Sequence, residues 1–186
     1  MSLNPAVDPI PKAAVEGVVT LRRANAEDLE LLRYWHRQPH VVTAAGDDWG
    51  WEAELSRRPE WREQFIAEVG GKPIGFVQII DPAREDTQYW GGIAAGNRAI
   101  DIWIGEKDSL GRGYGTQMMR QAIERSFADP SVTALLVDPR DNNLRACRFY
   151  ERLGFEFVVR RCFDGDYCAV YRLSRAAAAP DTRKTA

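Results

Sequence analysis

Hydrophobic positions along the chain switch between two periods. In "VVTLRRA", residues 18–24, apolar and polar side chains take turns, and this period of two predicts a first strand. "NAEDLELLRYWHR" follows with Asn25 as N-cap, Asp28 near the positive end, and Leu29, Leu32 and His36 at helical spacing. "DDWGWEAELSRRPEW" predicts one or two short helices with a loop, "QFIAEV" and "IGFVQIID" on either side of "GGKP" a hairpin, and "AIDIWIGE" a further strand. From Thr116 to Ala128, Met119, Ala122, Ile123 and Phe127 recur at i, i+3, i+4 and i+8, the stripe of an amphipathic helix. "VTALLVD" reads as a strand ending at Asp138. "NNLRACRFYERLG" reads as a helix with Ala146, Phe149, Tyr150 and Leu153 on one stripe and Gly154 as its stop. "FEFVVRRCF", "DGD" and "YCAVYRL" close the chain as a hairpin.

Outside this patterned stretch the chain is Pro/Ala-rich at residues 1–17 and lacks an apolar pattern at residues 175–186, so two tails are expected around a single domain, 18–174. With 186 residues, 45% of them hydrophobic, such a domain can bury a full core. A formal charge of −2 with interspersed acids and bases lacks the basic face of a nucleic-acid binder. No run reaches 18 apolar residues and the start has no signal pattern, so the expectation is a cytoplasmic protein without membrane contact. The three cysteines, Cys147, Cys162 and Cys168, lack metal-type spacing, and Pro39 separates His36 from His40, so no metal is expected.

One stretch breaks the pattern with chemistry. "DSLGRGYGTQMM", residues 108–119, sets Gly111, Gly113 and Gly115 at alternate positions ahead of a helix, where unpaired amides and the positive end of the dipole suit a phosphate. The G-x-G-x-G spacing differs from the dinucleotide G-x-G-x-x-G, and after Asp138 the parallel strands of a doubly wound sheet are missing. No Gly-Lys-Ser/Thr follows, which excludes a Walker loop.

Taken together, "LGRGYGT", "VDPRDNNLRACRFYERLGF" and the closing hairpin resemble the GCN5-related N-acetyltransferases over about residues 18–174. The resemblance implies a mixed, mostly antiparallel α/β sheet of six to seven strands with helices on both faces, and acetyl-coenzyme A as co-substrate. The family loop Q/R-x-x-G-x-G/A falls on Leu110, Gly111, Arg112, Gly113, Tyr114 and Gly115, with Leu110 departing from the usual Gln or Arg. It implies a pyrophosphate cradle from Leu110 to Thr116, a pantetheine contact along Ile102, Trp103 and Ile104, and a coenzyme contact at Asn143. Within the family, "RAIDIWIG", "LGRGYGT" and "FADPSVTALLVDPRDNNLRACRFYERLGF" look like the aminoglycoside 6′-N-acetyltransferases, which carries over Asp101, Asp138, Asn143 and Tyr150. In those enzymes acids crowd the loop before the catalytic strand; here that place reads "YWGGIAAGNR", with Glu85 and Asp86 earlier.

Acetylation needs a neutral amine, and an alkyl amine of pKa near 10.4 is neutral in only about one molecule in 2,500 at pH 7. A carboxylate can bind the ammonium and take its proton, and Asp101, inside an apolar strand, is the candidate; it could also alternate outward into solvent. Asp138 can pair with a second ammonium or start the turn at Pro139. Tyr150, by the resemblance, supplies a proton to the departing thiolate. Glu85, Asp86, Tyr89 and Trp90, and also Asp47, Asp48, Trp49, Trp51 and Glu52, set acids beside aromatics, which suits a polycationic sugar or a pair of solvated loops over packed tryptophans. The expected partner is a small-molecule amine bound by a monomer or homodimer. The alternatives are acylation of a siderophore-type hydroxylamine or amine, or of a protein N-terminus, and an acyl-coenzyme A sensor without chemistry.

Overall fold

In a computed structural model, which describes residues 17–46, 49–163 and 165–178, seven strands form one open sheet. They are β1 (Val19–Arg23), β2 (Arg62–Val69), β3 (Lys72–Ile80), β4 (Asn97–Ile104), β5 (Ala134–Val137), β6 (Glu156–Phe163) and β7 (Asp166–Ser174). Their order is β1-β2-β3-β4-β5-β7-β6, and β4–β5 is the one parallel neighbour pair. That pairing runs only from Asn97↔Ala134 to Ala99↔Leu136, after which β4 continues beside β3 alone. The two strands therefore part at the middle of the sheet.

Among the described residues six α-helices flank the sheet: α1 (Leu29–Trp35), α2 (Pro39–Ala45), α3 (Trp51–Ser56), α4 (Tyr114–Phe127), α5 (Leu144–Arg152) and α6 (Arg175–Ala178). Alternation along the strands sorts the core by face. Phe65, Val77, Ile79, Ile100, Leu135 and Val137 pack with Met118, Met119 and Ala122 of α4 and Cys147 and Tyr150 of α5. The opposite face carries two separate clusters: Ile66, Phe76 and Trp103 under α1–α3, and Ile80, Ala99, Leu136, Phe163 and Val170 with Trp90.

The structure differs from the sequence pattern in four places. The predicted first helix divides into a 3-10 turn at Ala26–Asp28 and α1; Asn25 and Asp28 form a capping box, and Asp28 is buried against Arg22. Pro39 starts α2 instead of merely ending its predecessor, because the first helical position needs no amide hydrogen. α4 begins at Tyr114, two residues before the periodic stretch, so Gly115 lies inside the helix. Arg175, expected in a tail, anchors α6: its guanidinium donates to the carbonyls of Val132, Phe127 and Asp129.

Candidate active site

Asp101 lies in β4 between Ala99 and Trp103, on the face opposite α4 and the isoleucines, and is half-buried there. Register places Gln64 of β2 opposite Gln78 of β3, and Gln78 opposite Asp101. Gln64 Nε2 donates to Gln78 Oε1 at 2.8 Å, and Gln78 Nε2 donates to Asp101 Oδ2 at 3.0 Å. This polar row crosses three strands between the two apolar clusters of that face.

Burial lifts the half-buried Asp101 carboxyl to about 6; the Gln78 hydrogen bond opposes the rise and the Glu85 charge adds to it. At the end of β5, burial and the Asp101 charge push Asp138 up to about 8, against the pull of the Tyr89 hydroxyl, which donates to Asp138 Oδ2 at 2.8 Å. Tyr89 is held by stacking on Phe163, with centroids 4.5 Å apart. Tyr150 of α5 is 7% exposed; burial raises its phenol far above the ordinary value, and the charges of Asp101 and Asp138 raise it further. Asp101, Asp138, Tyr150 and Glu85 thus share one electrostatic neighbourhood beside the parting of β4 and β5. Glu85 receives the Thr87 hydroxyl on Oε1, while its Oε2 is buried without a hydrogen-bond partner.

At the glycine loop, Gly111 and Gly113 have φ of +76° and +79°, a left-handed region in which a side chain is strained, and Gly113 caps α4. Gly115 is different. Its backbone is helical and an added Cβ would meet Phe149 at an ordinary 3.8 Å, so neither φ nor packing calls for glycine there. A bare first turn at the head of a 14-residue helix is a surface that an anion's oxygens can approach closely. Arg112 is exposed, Leu110 and Thr116 are partly buried, and the Tyr114 ring belongs to the core.

Other sequence candidates occupy different surroundings. Asn143 caps α5, its Oδ1 accepting from the Ala146 amide at 3.1 Å. Ile102 and Ile104 pack toward α4, and Trp103 toward α1–α3. Trp51 is buried and donates to His36 Nδ1; Trp49 stacks on it at 5.3 Å and donates to the Ala45 carbonyl. Trp90 is buried beneath the β3–β4 loop. Asp86 is exposed and paired with Arg57, and Glu52 with Arg33, while Asp47 and Asp48 lie outside the described residues. From the two acid-and-aromatic loops, Glu85 and Tyr89 are the residues in contact or charge interaction with the carboxylate pair. His40 Nε2 donates to the carbonyls of Ile104 and Gly105, and among the described residues no group of His, Cys, Asp or Glu is arranged to hold a metal.

Residues 24–162 match the sequence profile of the acetyltransferase (GNAT) domain family. The chain belongs to that family. It is 34% identical over 152 residues to the aminoglycoside N(6′)-acetyltransferase type 1 of Klebsiella pneumoniae, covering 74% of each chain. Its fold is similar to the crystal structure of aminoglycoside acetyltransferase AAC(6′)-Ib in complex with coenzyme A and kanamycin. The TM-score is 0.76 at 30% identity, over 86% of this chain and 96% of the other. The complex of AAC(6′)-Ib with ribostamycin and coenzyme A gives a TM-score of 0.79 at 30% identity, over 91% and 99%. In this GNAT chain, sequence reasoning had missed Gln64 and Gln78. Nothing in "REQFIAEV" or "KPIGFVQII" marks a glutamine as the neighbour of an acid until register is known.

Proposed function

We propose that the protein transfers the acetyl group of acetyl-coenzyme A to a primary amine of an aminoglycoside, the 6′-amine by analogy with its relatives. One observation carries this reading: Glu85, Asp101 and Asp138 press on one another electrostatically at the parting of β4 and β5, with Tyr150 beside them. A cluster of like charges in which Asp101 and Asp138 are held above the ordinary carboxyl range is a receptor for a polycation, since a bound ammonium relieves the repulsion and returns these two carboxyls to their ionised form. The pantetheine arm fits along the β4 edge beyond Ala99, and the pyrophosphate fits at Gly111–Gly115.

In the reaction, Asp101 binds the substrate ammonium and accepts its proton, a role suited to a carboxyl near 6 that is mostly ionised at pH 7. The amine nitrogen attacks the thioester carbonyl directly. Collapse of the adduct breaks the C–S bond; Tyr150 gives its proton to the departing thiolate and recovers one from the adduct's nitrogen, which leaves the amide, the free thiol and a neutral phenol, while Asp101 passes its proton to solvent. Asp138, with Tyr89 on its Oδ2, pairs with a second ammonium, and Glu85 adds a third negative site. Tyr114, Trp51, Trp90 and Asp86 have no side-chain part in this scheme.

A panel of acceptors read by thiol release tests it. Kanamycin- and tobramycin-type compounds should be acetylated, and simple monoamines of similar size should be much poorer. Turnover of hydroxylamines or peptide N-termini with no aminoglycoside acetylated would overturn the substrate assignment.

A further inference from the structure

The polar row beneath Asp101 is built in one direction. Gln78 is 4% exposed, and both ends of its side-chain amide are engaged: the oxygen by Gln64 Nε2 and the nitrogen by Asp101 Oδ2. A glutamine can turn its amide over at little cost when its neighbours allow it. The ionised Asp101 carboxylate can only accept, so the nitrogen of Gln78 faces β4 and its oxygen faces β2, where Gln64 Nε2 holds it. Asp101 Oδ2 is taken by this contact, which leaves Oδ1 for the amine proton.

We propose that Gln78 is a positioning residue for the acetyl transfer: clamped by Gln64, its amide holds the Asp101 carboxylate in one rotamer and in the ionised form a general base requires. This inference rests on the reading of Asp101 as the base. The groups facing Asp101 are Glu85 and Tyr89 from the β3–β4 loop, Asp138 from the end of β5 and Tyr150 from α5, all acidic. Burial and the Glu85 charge favour the protonated acid, and the Gln78 hydrogen bond opposes them. Without it, Asp101 would hold its proton into the neutral range.

The experiment is a pH titration of the full-length free protein carrying carbon-13-labelled aspartate, run beside kcat/KM pH profiles with kanamycin and acetyl-coenzyme A. Asp101→Asn serves to assign the resonance. In Gln78→Leu, the Asp101 carboxyl should titrate about one pH unit higher, and the acid limb of kcat/KM should move with it. The loss in rate should therefore be largest near pH 6 and shrink toward pH 9. Gln64→Leu gives a second arm that keeps Gln78 and adds no charge. Without the donor on its oxygen the Gln78 amide is no longer clamped, so an upward shift in the same direction, smaller than in Gln78→Leu, is expected. A titration and acid limb that stay in place in both variants, or a loss of equal size at every pH, would overturn the positioning role. If Asp101→Asn itself retains the parental rate and acid limb, the base assignment fails instead, whatever the carboxyl titration shows.

Discussion

At the scale of single residues, the acids that make the site also make it costly. A carboxyl whose folded pKa lies above its unfolded value favours folding below the unfolded pKa, and this stability is lost as pH rises through the folded pKa. For Asp101 that window runs from 3.8 to about 6, and for Asp138 from 3.8 to about 8. Asp138→Asn should therefore raise Tm at pH 8 by the equivalent of at least about 1 kcal/mol and leave it nearly unchanged at pH 4, which calorimetry at the two pH values would check. Asp101→Asn should lower kcat/KM by about 100-fold or more at pH 7 and remove the inflection near pH 6, leaving the one that belongs to Asp138. Tyr150→Phe should lower kcat while the affinity for coenzyme A, read by calorimetric titration, is kept. Asp101 and Asp138 stand out in the sequence as an acid in an apolar strand and an acid at a strand end, whereas Tyr150 lies within its helix stripe and its proposed role comes by the resemblance alone. Tyr89 could be grouped with loop aromatics, but its bond to Asp138 spans 49 residues of sequence and depends on Phe163 holding the ring flat.

At the scale of elements, periodicity located the strands that have a covered face, while β6, exposed at every position but Phe163, was placed by its hairpin turn and its pairing with β7. Periodicity was weaker where local chemistry sets the ends. Seven residues, Pro39–Ala45, are too few to show a helical stripe, and glycine at Gly113 and Gly115 looks like a loop until one glycine is seen as a left-handed cap and the other as helix. That distinction decides how to test the coenzyme site. A side chain at Gly113 would strain the cap at φ +79° whatever binds there. Gly115→Asp instead places a carboxylate in the first turn, where the dipole favours it by about 0.3–1 kcal/mol. The variant should keep or raise the Tm of the free protein and lose most of the thermal shift that acetyl-coenzyme A produces in the parent. An undiminished shift would remove the first turn of α4 from the pyrophosphate contact.

At the scale of the whole molecule, a net charge of −2 gives little long-range attraction for a cation, so recruitment falls to the local carboxylates. The KM for a tri- or tetra-amine should rise several-fold between about 0.05 and 0.5 M salt, while the KM of a monoamine changes less, because screening acts on each added pair. Initial rates across a salt series would check this. The short parallel junction has a further consequence. The sheet is two contiguous pieces of chain, β1–β4 with α1–α4 and β5–β7 with α5 and α6, whose strands pair with each other at three positions and which otherwise meet through the shared core under α4 and α5, the Tyr89–Phe163 stack and Arg175 at the end of α4. Cutting the backbone between Ala128 and Ser131 would separate those pieces without breaking a strand. Bound coenzyme would then touch both fragments and act as the bridge between them, so the two halves expressed apart should complement each other more strongly as acetyl-coenzyme A is added.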